Sequence, residues 1–107
     1  MTPEEFVQCF RREEDQLLAT YLDRASDSPV SAALSALADR LPEQREIIDN
    51  ILTDVFYHIL LSLDGCASMG DIQQTYTIKD EDGAIVCDGS GDIEALAYRY
   101  FHETNKT

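Results

Sequence analysis

The chain has 107 residues, enough for one hydrophobic core and too few for two domains with a cleft between them. Hydrophobic residues make up 44%, the share of an ordinary globular protein. The 21 acidic residues against 8 basic ones give a net charge of −13, which argues against direct nucleic-acid binding and against docking on an anionic membrane, since both need clustered Lys and Arg.

The first predicted element is a helix. Thr2, Pro3 and Glu5 form an N-terminal capping signature. Phe6, Phe10, Leu17, Leu18, Tyr21 and Leu22 recur at helical spacing as one apolar stripe, which leaves residues 11–15 largely on the outer side and an end near Ala25. Ser28 and Pro29 open a second, shorter helix with Val30, Ala33, Leu34 and Leu37 as its expected buried face. Leu41 and Pro42 punctuate its end.

A third helix is expected over residues 43–63. Ile47, Ile51, Val55, Phe56, Ile59 and Leu60 belong to a wide apolar arc, and residues 55–63 are apolar almost all round. Such a helix is expected to be surrounded by other elements, as the central buried helix of the domain. Gly65 suits the left-handed cap that ends it. The periodicity then changes to two: Gln74, Tyr76 and Ile78 alternate with Thr75, Thr77 and Lys79, which predicts a strand. Asp82-Gly83 signals a hairpin turn, residues 84–87 the return strand, and residues 88–91 a break. The last helix is expected over 92–103, capped by Ser90 or Asp92, with Ile93, Leu96, Ala97, Tyr100 and Phe101 inward and residues 104–107 frayed. The fold class is thus α+β, a single domain over residues 1–107: three N-terminal helices, a β-hairpin and a C-terminal helix. A two-stranded hairpin is marginal alone, so a third strand is expected from residues 66–72 or from another chain.

The acids run from Glu4 to Glu103, so the charge belongs to the whole domain. The one adjacent basic pair, Arg11-Arg12, is followed at once by Glu13, Glu14 and Asp15. Complementary charge speeds encounter, so the favoured partner is a basic protein; the plainer reading is that the acidity only maintains solubility. Cys9, Cys66 and Cys87 lack metal or redox spacing and read as free buried thiols of a reducing compartment. The opening Met1-Thr2-Pro3-Glu4-Glu5 does not read as a signal peptide. Residues 55–63, the longest apolar stretch, are too few to cross a bilayer. A cytoplasmic location is expected.

The sequence carries no recognisable catalytic or metal-binding motif. Setting Gly83 at the sixth position of a calcium loop places Ile78 and Gly89 where oxygen ligands belong. The Cys and His residues lack zinc spacing, and the glycines form no dinucleotide or phosphate-loop pattern. No cofactor and no metal are expected. Asp54 and His58 stand four apart on one helix and could meet as a carboxylate–imidazole pair, although a histidine on an apolar helix is more often a core residue with one satisfied hydrogen bond.

The stretches Phe56-Tyr57-His58-Ile59-Leu60-Leu61-Ser62-Leu63-Asp64-Gly65, Tyr76-Thr77-Ile78-Lys79-Asp80-Glu81-Asp82-Gly83 and Leu96-Ala97-Tyr98-Arg99-Tyr100-Phe101 form a helix–turn–hairpin–helix pattern. This pattern resembles that of small acidic uncharacterised bacterial proteins, some of them immunity proteins of secreted toxin systems. The resemblance covers about half the chain and implies a domain that binds another protein. It transfers no functional residue.

The leading expectation is a protein-binding module, of the immunity or antitoxin kind, whose acidic surface covers the basic active site of a toxin such as a nuclease. The candidate contacts are the acids expected to be exposed: Asp64 and Asp71 around the loop, then Asp80, Glu81, Asp82, Asp88 and Asp92 around the hairpin. The alternatives are a DNA-mimic inhibitor, a homo-oligomeric structural protein pairing through the hairpin edge, and a small enzyme built on Asp54 and His58. Competition with DNA, self-association, or an activity lost in His58→Gln without loss of stability would mark each in turn.

Overall fold

A computed structural model of the chain describes residues 1–23, 25–36 and 41–103. The element order is α1 (Pro3–Leu22), α2 (Pro29–Ser35), α3 (Leu41–Leu63), β1 (Ile78–Lys79), β2 (Ile85–Cys87) and α4 (Asp92–Tyr98), which runs on into a π-helical turn, Arg99–Glu103. The fold is α+β, with a helical body and one antiparallel hairpin.

Helix α1 starts as its sequence dictates. The Glu5 amide donates to the Thr2 hydroxyl at 3.0 Å, and the Thr2 amide donates to the Glu5 carboxylate at 3.0 Å. Each satisfies an amide that the first helical turn leaves unpaired. Ser28 caps α2 by accepting from the Val30 amide at 3.1 Å. The burial of α2 differs from expectation: Val30 is 43% exposed and Ala33 is exposed, while Ser31 is buried. Ser31 is drawn inward because its hydroxyl donates to the Thr20 and Tyr21 carbonyls at 2.7 and 3.1 Å, closing the C-terminal end of α1. Leu37 and the expected frayed tail, 104–107, lie outside the described residues.

The core lies where α1, α3, β2 and α4 meet. Val7, Leu60, Cys87, Ile93, Ala97 and Phe101 are each at most 2% exposed and form one cluster. Around it pack partly buried aromatics: Phe10 meets Phe6 at a ring separation of 5.2 Å and Phe56 edge-on at 5.9 Å. Ile93, Ala97 and Phe101 are spaced by four, a step that drifts around an ordinary helix. The wider π turn at 99–103 offsets that drift, so Phe101 stays on the buried face.

The expectation that the apolar arc of α3 is covered by other elements is corrected along part of its width. Within α3, Leu60 is fully buried, but Ile47, Ile51 and Val55 are 58%, 53% and 46% exposed. Helices α1 and α4 cover one side of α3, and the opposite side faces outward. The outer face of α1 is corrected too. Glu14 is fully buried, receiving the Thr53 hydroxyl at 2.7 Å and lying 3.5 Å from the Arg11 guanidinium.

The C-terminal end of α3 is a Schellman turn: the Cys66 amide donates to the Leu61 carbonyl at 2.9 Å and the Gly65 amide to Ser62 at 3.1 Å. Gly65 has φ +79°, and a Cβ there would stand 2.6 Å from Thr75 Cγ2. Gly65→Ala is expected to cost about 1–2 kcal/mol from the left-handed backbone alone, with a steric contribution on top. Urea denaturation of Gly65→Ala with and without Thr75→Ala separates the two, because Thr75→Ala relieves only the clash.

The hairpin is shorter than the alternation predicts. Of the expected strand over 74–79, only Ile78 and Lys79 pair, in register with Cys87 and Ile85. One step on β1 spans two on β2, so Val86 is a bulge. That irregularity explains why Val86 and Cys87, neighbours in sequence, are both buried. Residues 66–72 add no third strand to the sheet. They form their own turn, in which the Met69 amide donates to the Ile72 carbonyl at 2.8 Å and the Ile72 amide returns to Met69 at 3.2 Å. Gly70 and Asp71 between them have φ +60° and +69°, the two left-handed centres of a tight hairpin turn.

Candidate functional site

The candidate acids separate by what holds them. Asp64 is not an exposed contact residue: it is 2% exposed at the end of α3. Its carboxylate accepts from the Gly91 amide at 3.3 Å and the Glu94 amide at 3.0 Å. Gly91 is the N-terminal flanking residue of α4 and offers no capping side chain. Asp64 therefore caps α4 from the end of α3, and the Ser90 hydroxyl, one of the two expected caps, accepts from the Asp92 amide at 3.4 Å beside it.

Asp80 is structural as well. One carboxylate oxygen accepts from the Asp82 and Ala84 amides at 3.0 and 2.9 Å, which shapes the hairpin turn, and the other meets the Met1 amino group. That amino group, then the Ala84 amide, holds the Asp80 carboxyl below the usual carboxylate range; the same contact raises the Met1 amine above its ordinary value. Glu81, Asp82, Asp88 and Asp92 are exposed, and none forms an ion pair with a described residue. Asp88 accepts from the Ser90 amide at 3.1 Å, a local turn contact. Asp71 is exposed in the separate turn at 70–71. The structure thus leaves a quartet of exposed acids on the hairpin tip, the break after β2 and the start of α4.

Asp54 and His58 are both exposed on α3. His58 Nε2 donates to the Ser68 carbonyl at 3.1 Å, which requires the proton on that nitrogen. The Ser62 hydroxyl donates to the His58 carbonyl at 2.9 Å and lies 3.2 Å from the same Ser68 oxygen. Among the described residues no hydrogen bond or ion pair joins Asp54 to His58. The histidine anchors the loop at Ser68, and among the described residues no nucleophile is hydrogen-bonded to its ring.

The cysteines differ from one another. Cys87 is buried, its thiol 3.3 Å from the Leu63 carbonyl, and burial raises its pKa. Cys66 is exposed as a residue rather than buried as expected. Partial burial of its sulphur, then the neighbouring Glu94, push its thiol up to about 11, so the nucleophilic thiolate is suppressed at neutral pH. Cys9 is half-buried beside an open groove lined by Phe10, Glu13 and Phe56, with an Arg12 nitrogen 3.2 Å from its sulphur. All three are free, and no three His, Cys, Asp or Glu side chains among the described residues converge as a metal ion would need. No helix among them is long and apolar enough to cross a membrane.

The feature missed in the sequence is the outward apolar strip of Ile47, Ile51 and Val55 on α3. The periodicity marks these residues as apolar but carries no signal of which elements cover them. Comparison with family models, curated proteins and solved structures finds no match to this chain.

Proposed function

We propose that the chain is a protein-binding module whose partner is a basic protein, and that it acts as an inhibitor of the immunity or antitoxin kind. The observation that carries this reading is the quartet Glu81, Asp82, Asp88 and Asp92, exposed and without ion-pair partners among the described residues, on a chain of net charge −13. Exposed carboxylates on a strongly acidic domain raise the local concentration of a cationic partner and accelerate its docking. An active site built to hold phosphates presents the matching positive charge. Pairing of two copies through the hairpin edge has less support, since β1 spans two residues and β2 three.

The test begins with capture of partners from the native host across a salt series, after nuclease treatment. The retained basic protein is then purified and its association with the chain timed. Neutralising the quartet together, as Glu81→Gln, Asp82→Asn, Asp88→Asn and Asp92→Asn, is expected to slow association about tenfold or more and to flatten its dependence on salt. An unchanged rate and salt slope would remove the quartet from the interface.

A further inference from the structure

The α3 strip has the geometry of a docking ridge. At about 100° per residue, Ile51 stands about 180° from Leu60, directly opposite the core. Leu60 is fully buried and Ile51 is 53% exposed. Ile47, Ile51 and Val55 step around the outer face by about 40° each, so they form a slightly oblique row over roughly two turns. One margin of this row is acidic: Glu43 and Asp54, both exposed, fall within about 40° of Ile47 on the side away from Ile51. The other margin is apolar, made by the half-buried Ile48 and Ile59.

Charge decides between the occupants. Two copies packing antiparallel across a two-fold axis would place acidic margin on acidic margin. Packing in parallel would place Glu43 and Asp54 against the Ile48 and Ile59 side. In either case two domains of net charge −13 are brought together, so a second copy is disfavoured. A helix with an apolar row and lysines or arginines along one edge satisfies both the row and its acidic margin.

We infer that the outer face of α3, centred on Ile47, Ile51 and Val55 and edged by Glu43 and Asp54, binds a basic amphipathic helix of a partner protein. This rests on the reading of the chain as a module for a basic partner, and it assigns that partner a second, apolar contact on the outer face of α3. Apolar anchors supply affinity, and the acidic edge sets orientation and rate.

The test is selection from a displayed library of helix-forming peptides, about 16 residues or four turns long, against the immobilised full chain. The expected result is a consensus with apolar residues three or four apart and Lys or Arg along one edge. Peptides from it should bind Ile51→Asp at least about tenfold more weakly than the unaltered chain, and should lose salt dependence on Glu43→Gln/Asp54→Asn. Ile47→Asp, at a residue 58% exposed, serves as the second variant, and circular dichroism confirms that each variant keeps its helices. Peptides that ignore both Asp variants but fail on the neutralised hairpin quartet would overturn the α3 assignment and leave the basic-partner reading standing. Selection of acidic or uncharged peptides would overturn the inference, while the association rates with the native partner decide that reading separately. A dimer in solution that Ile51→Asp dissolves would also overturn it, giving the face to a second copy.

Discussion

Phe101→Ala is expected to lower the free energy of unfolding by about 3–5 kcal/mol, the largest loss from any single truncation in this domain. Phe101 is 1% exposed and belongs to the one cluster that joins α1, α3, β2 and α4. A chain of this size has no second core to compensate. Its position depends on the π-helical turn at 99–103, which cannot tighten to fill the space without rotating Tyr100 away from its partners on α1. Tyr100 receives the Gln8 amide at 3.0 Å and donates to Glu4. The void is therefore expected to persist rather than collapse. Guanidinium denaturation followed by circular dichroism gives the number. A loss below about 1 kcal/mol would mean that the last turn is peripheral to the core.

Asp64→Ala is expected to cost about 2–4 kcal/mol, although an acid one residue past a helix end would ordinarily be a neutral surface site. The substitution leaves the Gly91 and Glu94 amides without their acceptor at the start of a short helix. Orphaned amides at this part-buried helix start are costly because the place of the lost oxygen, on a residue 2% exposed, is poorly reached by water. Asp64→Asn retains one acceptor oxygen, so its loss is expected to be smaller than that of Asp64→Ala. Hydrogen exchange locates the effect: the Gly91 and Glu94 amides should lose protection in both variants while the α1 amides keep theirs. Equal protection at 91 and 94 in Asp64→Ala would show that another group caps α4.

Legibility in the sequence followed the range of the interaction. Features decided within four residues were readable: the Thr2–Glu5 box, the Ser28 cap, the left-handed Gly65, and the inward row of Ile93, Ala97 and Phe101. What depended on distant partners was not. Glu14 lies on the same stripe as Val7 and Leu18, seven residues after one and four before the other, yet its charge placed it outside. The hydroxyl of Thr53, 39 positions away, makes an interior position tenable. Asp64 looked like one more surface acid because the amides it serves are 27 and 30 positions on. The alternation over 74–79 was real, but a strand needs a partner, and β2 pairs with Ile78 and Lys79 alone. Of the seven acids proposed from charge, Asp64 and Asp80 are held by the fold, and Asp71 sits in a different turn from the quartet. The α3 strip was read as core because periodicity reports which residues are apolar, not how much covering surface the rest of the chain supplies.

The contacts of Tyr100 with Glu4 and Gln8 span 96 and 92 residues, and they set a clock on synthesis. At about 5–20 residues per second, the ribosome needs about 4–16 s after α1 is made before Phe101 is added. Through that interval α1 can lie against α3 as soon as α3 emerges, but the wall that α4 supplies is missing and Val7 has no Phe101 above it. A nascent chain stopped before residue 92 carries a core open on one side, and the domain closes only once Ile93, Ala97 and Phe101 have been added.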